Sequence, residues 1–283
     1  MSGEADEILP SPGRLSGRSA WTTLALFAAR QATWSRRAIL AYVLLGLPLV
    51  VAAVIVNAAP IKGPGQAAEI YWALTLLMML TASLPLAAML SCGPLILNEV
   101  SDGTLVYLLT RRLPRQRVLL AKFAGATLSI IGLAVVAQAV LFLMFAVGGP
   151  GLGAAETVPA LTGGLFVVAV SALVFAAVFT AIGVLFRKPL GVGIGYLIVT
   201  EWVFLRLPVG IRRFTVGYHL RCLLAGVCKA PRLEELLAQV LGRPLESPVA
   251  AAWILLAVVV SGLAAAAVLV ARREFTRARE EER

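Results

Sequence analysis

Six stretches of this chain are long and apolar enough to require lipid, and no other feature constrains its fold as strongly. They run at about 38–57, 70–92, 118–147, 160–186, 189–205 and 249–271. A helix crossing the hydrocarbon core needs about 20 predominantly apolar residues. Backbone in lipid must also satisfy its own hydrogen bonds, which favours helices. The expected fold is all-α: a polytopic membrane protein with six transmembrane helices. The fifth stretch is short and carries Gly191, Gly193 and Gly195, which suits close packing or a broken helix. Pro85 and Pro94 bend or end the second. Composition agrees, with 14% charged residues against about 25% in soluble domains. The expected organisation is a disordered cytosolic lead-in at 1–19, one membrane domain at 20–273 and a charged cytosolic tail at 274–283.

Basic residues set the expected orientation, because lysine and arginine accumulate on the cytosolic side of a span. Arg14, Arg18, Arg30, Arg36 and Arg37 precede the first span, and Arg111, Arg112, Arg115 and Arg117 separate the second from the third. Arg187 and Lys188 fill the turn between the fourth and fifth, and Arg272, Arg273, Arg277 and Arg279 follow the sixth. The stretch 58–69 holds only Lys62, and 148–159 holds no basic residue. Both termini are therefore expected in the cytosol, with the chain in the cell (cytoplasmic) membrane.

One segment conflicts with this pattern. Parity puts 206–247 outside, yet it carries Arg206, Arg212, Arg213, Arg221, Lys229, Arg232 and Arg243. Within it, FTVGYHLRCLLAGV is too short to span and reads as a re-entrant or interfacial helix. PRLEELLAQVLG reads as a short amphipathic helix started by Pro231 and ended by Gly242. Ahead of the first span, Trp21, Leu24, Phe27 and Trp34 among arginines fit a helix lying in the membrane interface.

A net charge of +10 raises the question of nucleic acid, but the basic residues flank apolar runs, where lipid headgroups are their natural partners. No basic stripe with interleaved aromatics lies on a polar domain, so no nucleic-acid partner is expected. Cys92, Cys222 and Cys228 make neither a disulfide framework nor a metal-ligand spacing. His219 is the only histidine, too few for a zinc site, and a catalytic triad would hang on that one imidazole. No catalytic or metal site is expected.

The polar stretch NEVSDGTLVYLLTRRLPRQRVLLAKF, residues 98–123, stands out between the second and third spans. Ser101 or Asp102 can cap a helix by accepting a backbone N–H bond. Leu105, Leu108 and Leu109 then fall on neighbouring helical positions, with Arg111 and Arg112 in the last turn, where the helix dipole favours cations. Pro114 breaks the helix, and a new one starts near Arg115 and runs into the third span, with Lys122 able to snorkel to the interface. A short amphipathic helix does not hold alone. Its leucines need either the lipid surface or a groove on another protein.

The same residues carry a family resemblance. Glu99, Gly103, Thr104, Leu105, Leu108, Leu109, Arg111, Arg112, Pro114, Arg115, Arg117 and Lys122 make a pattern that resembles the first cytosolic loop of type-2 ATP-binding-cassette (ABC) exporter permeases. The interfacial N-terminal helix, six spans, cytosolic termini and long last external loop resemble that family as well. One departure is Leu113 between Arg112 and Pro114, where Arg-Pro directly would be expected. The resemblance implies a coupling helix at 103–112 that docks on a separate cytosolic ABC ATPase, with Glu99 and Asp102 beside it. It also implies a second permease copy or a related permease, and export of a lipid, drug or similar amphipathic molecule. The chain has no G-x-x-x-x-G-K-[ST] loop to cradle a nucleotide, so ATP and magnesium are expected on the ATPase and no cofactor on this chain.

Three polar residues within the spans complete the candidates. Glu201 sits near the outer end of the fifth span, where a carboxylate is costly unless it faces protein, water or a cation. A pairing with Arg206 is the structural reading. Gln138 and Thr200 are expected to bond across helices, worth about 0.6–2 kcal/mol. An ion-coupled secondary transporter would show repeats and carboxylates near mid-membrane, but no convincing repeat is present and Glu201 is the only acid in a span. A lipid-headgroup transferase would need metal-holding aspartates beyond Asp102. A non-transporting membrane scaffold stays open.

Overall fold

The computed structural model describes residues 26, 29–30, 36–58, 61–95, 115–148, 150–204, 209–241 and 246–272, and among them every regular element is a helix. The lead-in 1–19, the tail 274–283, most of the segment ahead of the first span and the whole coupling set from Glu99 to Arg112 lie outside the described residues.

Five helices are long and apolar enough to cross a membrane. They fall within α1 (Arg36–Ala58), α2 (Pro64–Cys92), α3 (Arg115–Val147), α4 (Ala154–Leu185) and α9 (Pro248–Arg272). Helices α2 and α4 each begin six residues before the apolar run that marks them in the sequence. Their first two turns carry Gln66, Glu69 and Glu156, which hydropathy alone excludes from a span. The fifth expected span is shorter than the rest. Helix α5 (Pro189–Val203) has nine α-helical residues and then six π-helical ones. At about 1.5 Å per residue it reaches about 22 Å, less than the ~30 Å hydrocarbon core. A single turn, α6 (Val209–Arg212), leads to α7 (Val216–Cys228) and α8 (Pro231–Leu241) before α9.

Helix α4 is the centre of the bundle, packed by α2, α3, α5, α7 and α9. Burial follows that position: 61% of the most apolar window of α2 and 56% of that of α4 are inside, against 22% for α1 and α9. On α1, Ala38, Ala41, Leu45 and Ala52 face inward, while Ile39, Val43, Val50 and Val54 face out. On α9, Trp253, Leu256 and Val260 face out. Apolar surface of this extent does not face water in a soluble monomer. It fits lipid, and the chain is a multi-pass membrane protein.

Two helices change pitch within their length. In α2, residues Leu74–Ser83 are π-helical and are followed by Pro85. Proline lacks an N–H and its ring presses on the carbonyl four residues back. A widened turn just before it accommodates both effects, and the Thr81 hydroxyl donates to the carbonyl of Leu76 at 2.7 Å inside that turn. The second π segment, Ile198–Val203, carries Glu201. Single π turns recur at functional sites, and here both lie against α7.

Candidate functional site

The bundle has two ends. One holds the 186–188 turn, and α2 ends and α3 begins there. The other holds the short connections 61–63 and 150–153, together with α7 and α8. Helix α7 is apolar and of 13 residues, and it does not lie on the surface: Val216, Tyr218, Leu220, Leu224 and Cys228 are buried against α4 and α9. Its position allows a seat inside that end of the bundle, and four polar attachments fix it there with α8.

Glu201 makes the first attachment. It is 1% exposed, and its Oε1 accepts the backbone N–H of Gly217 at 3.0 Å. Gly217 is in the first turn of α7, where unpaired N–H groups and the helix dipole favour a carboxylate. The approach is close enough that a side chain at 217 would collide with the Glu201 carboxylate, so glycine is required there for contact. Thr215 closes the same helix end, its hydroxyl accepting from the Tyr218 N–H at 3.2 Å.

Arg221, one turn further along α7 and 2% exposed, makes the second attachment. Its Nη2 donates to Thr81 Oγ1 in the π segment of α2 at 2.6 Å, and its charge faces Glu201. A buried carboxylate and a buried guanidinium thereby join three helices, α2, α5 and α7. An isolated charge in such a place is costly, whereas a paired one with hydrogen bonds is tolerated.

Glu156 makes the third attachment. It is buried in the first turn of α4. Its Oε1 accepts the Arg232 backbone N–H at 2.9 Å, capping α8, and its Oε2 accepts Trp72 Nε1 at 2.8 Å. Beside it, Gln138 of α3 donates to Tyr71 Oη at 2.8 Å and Thr75 Oγ1 at 3.1 Å on α2, and Tyr71 donates to the carbonyl of Ala160 on α4 at 2.9 Å. The tyrosine ring packs edge-on against Trp72, Phe142 and Phe145. The fourth attachment joins His219 and Glu246, with Nδ1 and Oε2 3.4 Å apart, and Arg213 Nε lies 3.3 Å from Glu246 Oε1.

These contacts sort the residues expected from the sequence. Gln138 does bridge helices. Thr200 does not: its hydroxyl turns back to the Tyr196 carbonyl of its own helix at 2.8 Å, the usual local alternative for a helical threonine. Arg206 lies outside the described residues, and one oxygen of Glu201 is taken by the first turn of α7. Sequence reasoning missed Arg221, Thr81, Glu156 and Trp72. A signal for Arg221 existed, since an arginine in the apolar run YHLRCLL is a site candidate by default. The basic excess of 206–247 has fixed partners in part: Arg221 is buried on Thr81, Arg213 pairs with Glu246, and Arg232 pairs with Glu235 at 2.9 Å. Among the described residues no cluster of three or more His, Cys, Asp or Glu could hold a metal ion. Among the described residues the arrangement is a joint that seats a helix.

A comparison with protein-family models matches residues 33–200, more than half of the chain, to the model described as ABC-2 family transporter protein. The matched part runs from before α1 to the residue preceding Glu201. Among curated proteins, no sequence matches the chain.

Proposed function

The chain belongs to the ABC-2 family of transporter proteins, and we propose that it is the permease of an exporter whose power stroke comes from a separate ATPase. Membership makes it a membrane-embedded transport component of an ABC transporter. In the proposed complex, the segment 99–112 docks on a cytosolic ABC ATPase through Leu105, Leu108 and Leu109, with Arg111 and Arg112 at its end. The ATPase holds ATP and magnesium, and this chain holds no cofactor. Two copies, or this chain with a related permease, enclose the path. The spans number six, α5 crossing as the short fifth, so that both termini and the docking segment lie in the cytosol of a cell-membrane protein. Helices α7 and α8 then close the outer end.

The observation that carries this reading is the family match over α1 to α5. It is supported by a bundle in which the end of α2, the start of α3 and the 186–188 turn share one end and α7 occupies the other. Glu201 speaks against ion coupling as the driving force, because one of its oxygens caps α7 through the Gly217 N–H and the group faces the Arg221 guanidinium. An ion-binding carboxylate in a secondary transporter has to be released and refilled in each cycle.

The test is purification of the tagged chain from its native membrane in mild detergent, with mass spectrometry of what co-elutes. An ABC ATPase is expected with the wild type and absent from a folded Leu105→Asp/Leu109→Asp variant. A folded wild type that brings no ATPase overturns the docking role, places segment 99–112 on lipid, and puts the secondary-transporter or scaffold reading ahead.

A further inference from the structure

His219 Nε2 lies 2.8 Å from the carbonyl oxygen of Arg213. A carbonyl oxygen can only accept, so Nε2 carries a hydrogen. In the neutral ring Nδ1 is then a bare lone pair, and it points at Glu246 Oε2, 3.4 Å away, which is itself an acceptor. Both atoms are buried and neither has another hydrogen-bond partner. Two acceptors facing each other repel, and one proton on Nδ1 turns the contact into a charge-assisted hydrogen bond while leaving the Arg213 bond intact.

We propose that His219 is a proton-operated latch: when its ring is protonated it ties α7 to the segment that starts α9, and when it is neutral the tie is released. The two sides of the latch belong to different elements. His219 sits in the first turn of α7, one residue after Tyr218, whose ring packs edge-on to the imidazole at 5.3 Å. Glu246 sits two residues before α9 begins at Pro248. The ionisable groups around the pair are Arg213, which holds Glu246 Oε1, and Tyr218 and Cys222, which share the field of Glu246. Arg221 turns the other way, to Thr81 and Glu201. The Arg213 side chain holds the other carboxylate oxygen, so the one variable in the contact is the imidazole proton. Histidine exchanges that proton across the physiological range. The sign follows: the tie is complete in acid and is lost as the pH rises. On the reading of α7 as the closure of the outer end of a permease, acid outside holds that end shut and neutral conditions free it.

Amide hydrogen exchange of the full-length chain in lipid nanodiscs tests the latch without any transport. Peptides covering 216–228 are followed at pH 5.5 and pH 8, and each variant is compared with wild type at the same pH, so that intrinsic exchange chemistry cancels. Glu246→Gln is the informative variant, because its amide can donate to the neutral Nδ1 and lacks the charge that strengthens the bond from a protonated ring. The variant should exchange faster than wild type at pH 5.5, by about tenfold for loss of a charge-assisted bond. At pH 8 it should exchange no faster, or more slowly. Arg213→Gln, which leaves both latch groups in place, should keep the wild-type direction of pH response. A Glu246→Gln effect of equal size at both pH values overturns the latch and leaves a pH-independent contact. If Glu246→Gln does not fold, Glu246→Ala takes its place, and an effect of equal size at both pH values again overturns the latch. The result is independent of ATPase co-purification, so either reading can fail alone.

Discussion

Glu201 and Arg221 face each other although 20 positions separate them, and they are expected to act as one unit. Removing one partner of a buried charge pair costs about 3–5 kcal/mol, while replacing both by well-packed apolar groups is often neutral. Glu201→Ala and Arg221→Ala are each expected to lower the unfolding midpoint of the purified protein strongly. The double change Glu201→Gln/Arg221→Met is expected to recover much of that loss in the same thermal denaturation series. Two single changes whose effects simply add would show that the residues are energetically separate. Glu201 was legible in the sequence as a costly residue, but its partner was not. Gly217 and Arg221 arrive beside it through a chain reversal that no local spacing encodes. Thr200 illustrates the same limit. A hydroxyl in a helix has its own i−4 carbonyl within reach, and sequence alone does not say which acceptor it takes.

At the scale of elements, the amphipathic α8 was readable from Pro231 onward, and Leu233 and Leu237 are indeed its buried side. What holds its first turn was not readable, because Glu156 sits in a short polar connection that looks like an ordinary loop. Glu156→Ala removes the acceptor for the Arg232 N–H and strands the buried Trp72 Nε1. Loss of a cap costs about 1 kcal/mol and an unsatisfied buried donor about 1–3 kcal/mol. The expected outcome is faster trypsin cleavage after Arg232, with Glu156→Gln closer to wild type. Unchanged cleavage would mean that α8 is held by its leucines alone. The π segments were equally hidden. Pro85 announces a disturbance in α2, but the turn widened before it appears only when the helix is seen packed.

At the scale of the whole molecule, the all-helical membrane fold and its lipid-facing surface follow from apolar runs that physics allows to do little else. The number of crossings is harder to read, since α5 is too short by length alone. Native thiols cannot report it: Cys222 and Cys228 are buried at 1% and 4% exposure, so an impermeant reagent meets neither from either side. Phe214 is 85% exposed in the turn before α7. In intact cells, Phe214→Cys is expected to react with an impermeant maleimide without permeabilisation. Reaction only after permeabilisation would put α7 on the cytosolic side and remove the six-span parity.

The joint between α5 and α7 also dictates an order of events during synthesis. Glu201 emerges from the ribosome first, at the end of a helix that reaches too little of the bilayer to anchor itself well. Its counter-charge follows a full segment later, on a helix whose seat is walled by α9, made later still. Neither charge is at ease in lipid until the other is present. The C-terminal third of the chain therefore has to be translated before the middle can settle, and a nascent chain stalled before α9 would offer membrane quality control an exposed carboxylate to recognise.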